Sequence, residues 1–63
     1  MDEAIQLATT LCPLVIIDIV DADTIRFDFQ ASGIAREFAS ELAIRLSRFQ
    51  IVRLGTEVII RSA

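Results

Sequence analysis

The chain has 63 residues, 54% of them apolar, and a formal net charge of −3. That length allows one domain, and the acidic balance argues against a nucleic-acid partner, which would need a basic stripe. Histidine is absent and Cys12 is the only cysteine, which excludes an intrachain disulfide and leaves a zinc site without its usual ligands.

Asp2 reads as the cap of a short first helix, with Ala4, Ile5, Ala8 and Leu11 near one face. The same stretch also alternates as a strand through Ile5, Leu7, Thr9 and Leu11. Acidic residues in the first turn and Pro13 just beyond the last favour the helix. Mean hydropathy is +0.59. Even so, the longest apolar run, Leu11 to Ile17, spans seven residues and contains Pro13, far short of the ~20 a spanning helix needs. Met1-Asp2-Glu3 places no basic region ahead of an apolar one, so neither a signal peptide nor a membrane partner is expected, and the expected location is the cytoplasm.

Leu14 to Val20 is rich in β-branched residues and reads as a strand; Asp21-Ala22-Asp23 reads as the turn that follows. Thr24 to Gln30 then alternates, with Ile25, Phe27 and Phe29 on one side and Thr24, Arg26, Asp28 and Gln30 on the other. Pairing about Ala22 sets Ile19 opposite Ile25, Ile17 opposite Phe27, Val15 opposite Phe29 and Asp18 opposite Arg26. A slip by one residue would put Ile19 beside Arg26, so hydrophobic matching selects this register.

Ser32 reads as an N-cap, opening a helix that runs to about Arg48. Ile34, Ala35, Phe38, Ala39, Leu42, Ala43, Leu46 and Phe49 fill one half of its wheel, and Glu41 and Arg45 stand in the favourable i,i+4 order. Ile44 sits alone amid the polar half, an accessory contact at most. A last hairpin joins Ile51–Leu54 to Glu57–Ser62 through Gly55-Thr56. The expected architecture is α+β in the order αββαββ: two hairpins in one antiparallel sheet, packed on the long helix, with a short N-terminal helix.

The helix can cover only one sheet face, the one carrying Val15, Ile17, Ile19, Ile25, Phe27 and Phe29. Leu14, Ile16 and Val20 point to the other, and Val58, Ile59 and Ile60 cannot share one side. Strands apolar on both sides are normally covered on both. The first helix either covers this second face or lies beside the long helix and leaves it for a partner. The expected function is therefore a non-catalytic protein–protein interaction module: a small homodimeric regulator, adaptor or inhibitor. Its expected interface comprises Leu14, Ile16, Val20, Arg26, Ile44, Ile59 and Arg61, an apolar centre with charged surroundings. A small ligand-binding domain is the further alternative.

The chemistry-bearing residues point elsewhere. Asp18, Asp21, Asp23 and Asp28 match no complete calcium loop and read as solvated turn and strand positions. Cys12 and the serines have no histidine to activate them. Arg36, Arg45 and Arg48 are interleaved with Glu37 and Glu41, which largely cancels a phosphate-binding field. Neither enzyme activity nor any cofactor or metal is expected.

Three segments, LVIIDIVDADTI, QASGIAREFASELAIRL and IVRLGTEV, resemble parts of STAS domains, the fold of anti-sigma-factor antagonists. The likeness covers roughly residues 14–58. It implies a central parallel strand pair and places Ser32, before Gly33, at the position such domains phosphorylate, where added negative charge would switch partner binding.

Overall fold

The computed structural model describes residues 2–62. The elements are α1 (Asp2–Leu11), β1 (Ile16–Asp21), β2 (Thr24–Asp28), α2 (Ser32–Arg45), β3 (Phe49–Leu54) and β4 (Glu57–Ser62), in the expected αββαββ order. All strand pairs are antiparallel, and the sheet order is β1-β2-β4-β3. The two hairpins thus meet through β2 and β4, leaving β1 and β3 as edges.

Alternation in β2 builds the core. Ile25 and Phe27 face inwards, and the β2–β4 register sets them beside Ile60 and Val58, all four buried. From α2, Ala35, Phe38 and Leu42 close over them. Phe38 packs at 4.9 Å, centroid to centroid, on both Phe27 and Phe29, within the range of favourable tilted aromatic contacts. Ala4 and Ala8 are the fully buried residues of α1. Their small side chains let α1 lie close beside α2, on the same side of the sheet, with Ile5, Leu7 and Leu11 half-buried around them.

In the first hairpin Ile19 faces Ile25, Asp18 faces Arg26 and Ile17 faces Phe27, the register that hydrophobic matching selects. Three details differ. The ladder begins at Ile16 opposite Asp28, so the expected Val15–Phe29 pair is not formed; the Val15 amide donates instead to the Cys12 carbonyl at 3.0 Å. The pairing shifts between Ile19 and Asp21, placing a bulge at Val20 and shortening the turn to Ala22-Asp23. Ile19, although on the inner side, is 67% exposed, because it lies near the turn on an edge strand, where no helix reaches. Among the described residues the parallel strand pair implied by the STAS resemblance does not occur.

Two helix boundaries also move. Gln30 adopts φ 61, and its amide donates to the Asp28 Oδ1 at 2.9 Å. This left-handed step turns the chain out of β2 one residue earlier than the Ser32 cap allowed. Ala31 takes the cap position in extended conformation without a side-chain hydrogen bond, and Ser32 becomes the first helical residue. At the other end α2 stops at Arg45 rather than Arg48, with the Leu46 amide closing on the Leu42 carbonyl at 2.8 Å. Phe49, assigned to the helix by its spacing, opens β3 and is buried from there. In the second hairpin Gly55 has φ 64 at the first position of the two-residue turn, as a type II′ turn requires.

The uncapped start of α2 sets up a stability test. Ala31→Asp supplies the missing acceptor in a compatible backbone and should add about 1 kcal/mol, raising the melting temperature by about 4–8 °C. Ser32→Ala should move it little; a large loss at Ser32 would mean that the cap lies there after all.

Candidate interaction surface

Strand pairing places the outer side chains of the sheet in three rows across it. The central row runs Asp18, Arg26, Ile59, Val52, and a second runs Ile16, Asp28, Glu57, Leu54. At the other end of the strands, Thr24, Arg61 and Gln50 follow one another, with Val20 and Asp21 of the bulge beside Thr24. Neither helix lies over these rows. Ile16 is 52% exposed, Val20 58%, Val52 50% and Leu54 60%; Ile59, on a central strand, is half-buried.

Arg26 is the polar hub of this face. Its guanidinium reaches the Asp18 carboxylate at 3.0 Å and that of Glu57 at 3.7 Å. The strand register brings both acids to it, one from each neighbouring strand. The ion pairs are partly exposed and each contributes about 0–1 kcal/mol to stability. What they fix is position: a charged bar crosses the sheet, with apolar residues at its corners and at Ile59 and Val52.

Of the expected interface residues, Ile16, Val20, Arg26, Ile59 and Arg61 share this outer face. Leu14 is 84% exposed in the turn that leads into β1, at the border of the face. Ile44 is 79% exposed on the helical layer, turned away from the sheet, and is not brought together with the others. Val52 and Leu54 complete the face. Their signal in the sequence was present, since Ile51-Val52-Arg53-Leu54 is apolar on both sides of the strand.

The remaining candidates have local roles. The Asp23 amide donates to the Asp21 Oδ1 at 2.8 Å, and this bond holds the Asp21 carboxyl below its ordinary value. The Asp28 Oδ1 also lies 3.3 Å from the Thr56 hydroxyl, which donates to it. Among the described residues, no three acidic or cysteine side chains converge as a metal cage would require. Cys12 is half-buried, its Sγ 4.0 Å from the Phe29 carbonyl. Arg45 pairs with Glu41 at 3.2 Å, and Arg48 lies 5.1 Å above the Phe49 ring. Ser32 is exposed in the first turn of α2. A cleft of about 510 Å³ runs between the two helices; six of its eight lining residues are polar, among them Glu3, Glu37 and Glu41. No helix among the described residues is long and apolar enough to cross a membrane. No family model, curated protein or solved structure matches the chain.

The Asp21 turn makes stability depend on pH with a definite sign. A carboxyl held low in the folded chain stabilises above its unfolded value, near 3.9, and that contribution is lost as pH falls through the folded value. Urea midpoints of the parent chain and of Asp21→Asn should therefore differ more at pH 7 than at pH 2.5. An equal gap at both would place the hydrogen-bonded carboxylate outside the folding linkage.

Proposed function

We propose that the chain is a non-catalytic protein–protein interaction module, the working surface of a small regulator, adaptor or inhibitor, and that it docks through the outer face of its sheet. One observation carries this reading: α1 lies beside α2, so Ile16, Val20, Val52, Leu54 and Ile59 have no cover of their own. Burying an apolar side chain of this size stabilises by about 1.5–3 kcal/mol. Several together matter to a domain of 63 residues, because chains this short bury only roughly 60% of the surface exposed on unfolding. The charged bar through Arg26 supplies the polar complement that interfaces combine with apolar area.

The helical cleft favours a second reading, a small ligand-binding domain. Its volume suits a small molecule, but its walls are mainly polar, whereas ligand pockets are mostly apolar. A phospho-switched regulator acting at Ser32 is the remaining alternative; its parallel topology is at odds with Ile17 standing antiparallel to Phe27.

A photo-reactive benzophenone side chain tests the face in the native host. Placed at position 16 or 52 it should yield discrete covalent adducts to a protein, and placed at position 44 it should yield few. Equal adducts at all three positions, or none at 16 and 52, would overturn the docking reading. Ile16→Lys should abolish adducts formed from position 52 while leaving the circular dichroism spectrum and melting temperature nearly unchanged.

A further inference from the structure

We infer that copies of this chain join head to tail through their sheet edges, β3 of one against β1 of the next, so that one antiparallel sheet runs on from molecule to molecule. The join concerns the edges and needs no occupant on the outer face. Its first support is where the exposed apolar side chains lie. Of the seven large ones most exposed among the described residues, only Ile44 is on a helix. Leu14, Ile16, Ile19 and Val20 lie on β1 or lead into it, and Val52 and Leu54 lie on β3. These are the two strands with a single neighbour.

The backbone fixes what each edge offers. The Phe29 amide donates to the Thr56 carbonyl and the Ser62 amide to the Asp23 carbonyl, continuing the β2–β4 ladder at both ends. Odd-numbered residues of β2 and even-numbered residues of β4 therefore bond each other, because bonding directions alternate along a strand. By the same alternation β1 bonds β2 through Ile16 and Asp18, and β3 bonds β4 through Gln50, Val52 and Leu54. Ile17 and Ile19 turn their amides and carbonyls to the open side of β1, and Ile51 and Arg53 turn theirs to the open side of β3. The Val15 and Phe49 carbonyls face out with them, while their amides donate to the Cys12 and Leu46 carbonyls.

Direction and register both fit. Strands alternate up and down through β1-β2-β4-β3, so β3 meets β1 of the next copy antiparallel. With Ile51 opposite Ile17 of the next copy, these two exchange both backbone bonds. The Arg53 amide then donates to the Val15 carbonyl, and the Ile19 amide donates to the Phe49 carbonyl. Ile19 stands against Phe49, Val52 against Ile16, Leu54 against Leu14 and Gln50 against Asp18. Sliding β1 by two residues one way keeps as many bonds but sets Arg53 against Ile17 and Val52 against Asp18. Sliding it the other way loses half of them. A slip of one residue would oppose inner side chains to outer ones.

Charge selects the opposite edge over a like one. β1 and its turn carry Asp18, Asp21 and Asp23 and no base; β3 and the turn before it carry Arg48 and Arg53 and no acid. Two β3 edges paired about Ile51 would bring each Arg53 beside the other copy's Arg48. Two β1 edges paired about Ile17 would add acid to acid and press each Asp18 onto an Ile16. Like charges opposed across a strand pair are destabilising. In the mixed pair Arg48 comes level with Val20 of the next copy, beside Asp21. The bulge at Val20 lies beyond the last bonded pair and does not interrupt the join. A contact between two different edges leaves one of each free at the ends, so it does not close on two copies.

Ile16 and Val52 of one chain are at least three strand spacings apart, about 14 Å, too far for a disulfide within the chain. Across the join they are a pair without backbone bonds, about 4.5 Å between Cα atoms, which a disulfide fits. In a Cys12→Ser background, Ile16→Cys mixed with Val52→Cys should on mild oxidation give roughly tenfold more mixed dimer than homodimer of either. Both substitutions in one chain should give a ladder of dimers, trimers and longer species on a non-reducing gel. Asp18→Cys with Gln50→Cys, a second pair of the same register, should also link, whereas Asp18→Cys with Val52→Cys should not. Equal linking in that last pair, homodimers as abundant as mixed dimers, or no link from either designed pair overturns the inference. Sedimentation of the unaltered chain should show a mass that climbs past two copies between micromolar and millimolar concentration. A plateau at the dimer, or a monomer throughout, overturns the open-ended join.

Discussion

The rest of the structure depends on one packing constraint: two helices share one face of a four-stranded sheet. The Phe27, Phe29 and Phe38 rings form the centre of that contact, and Leu42, Val58 and Ile60 complete it. α1 joins the same layer because its buried positions are alanines, which permit close approach to α2 but offer little bulk to fill a space of their own. A helix with large apolar residues at positions 4 and 8 would be held further from α2. Placement of α1 thus decides the state of the far side of the sheet, although the helix does not lie over it.

The sheet order carries the constraint further. Pairing β2 with β4 puts the two most regularly alternating strands at the centre, where an inner side chain is covered by α2 and an outer one is flanked by two neighbours. Ile59 is half-buried for this reason, although nothing lies above it, whereas Ile16 and Leu54 at the edges remain exposed. Arg26 occupies the equivalent central place on β2, and only there can it reach an acid on each side. Had β1 paired with β4, Arg26 would have lost either Asp18 or Glu57.

Local pattern was enough to read much of this fold, and the failures have physical causes. The Ile17–Phe27 and Ile19–Ile25 pairs were legible because the strict alternation of residues 24–29 leaves one register that buries apolar groups together. The end of α2 was not, because Leu46 and Phe49 continue the helical period and also face the core from a turn and a strand. Ser32 looked like a cap, since nothing in the sequence announces that Gln30 enters the left-handed region. Sheet order is a long-range property, so the identity of the edge strands was hidden. With it went the grouping of the surface: Ile16, Val20 and Ile59 were legible as outward-facing, while Val52 and Leu54 join them only once β3 is known to lie beside β4. Ile44 was a lone apolar residue on a polar helix face and remains one; such residues are common on protein surfaces.

The composition of the outer face explains how it can stay open without being indiscriminate. Its apolar residues do not all join in one patch, because the Asp18–Arg26–Glu57 bar and Asp28 separate Ile16 from the neighbouring Ile59, Val52 and Leu54. A greasy surface of the wrong shape could cover the corners only by also covering Arg26 and its acids, and withdrawing charges from water without new partners costs several kcal/mol. A partner that matches the bar in position and sign avoids that cost. On the docking reading proposed above, apolar area on this face would supply the affinity, and the fixed charges would decide which surface can use it.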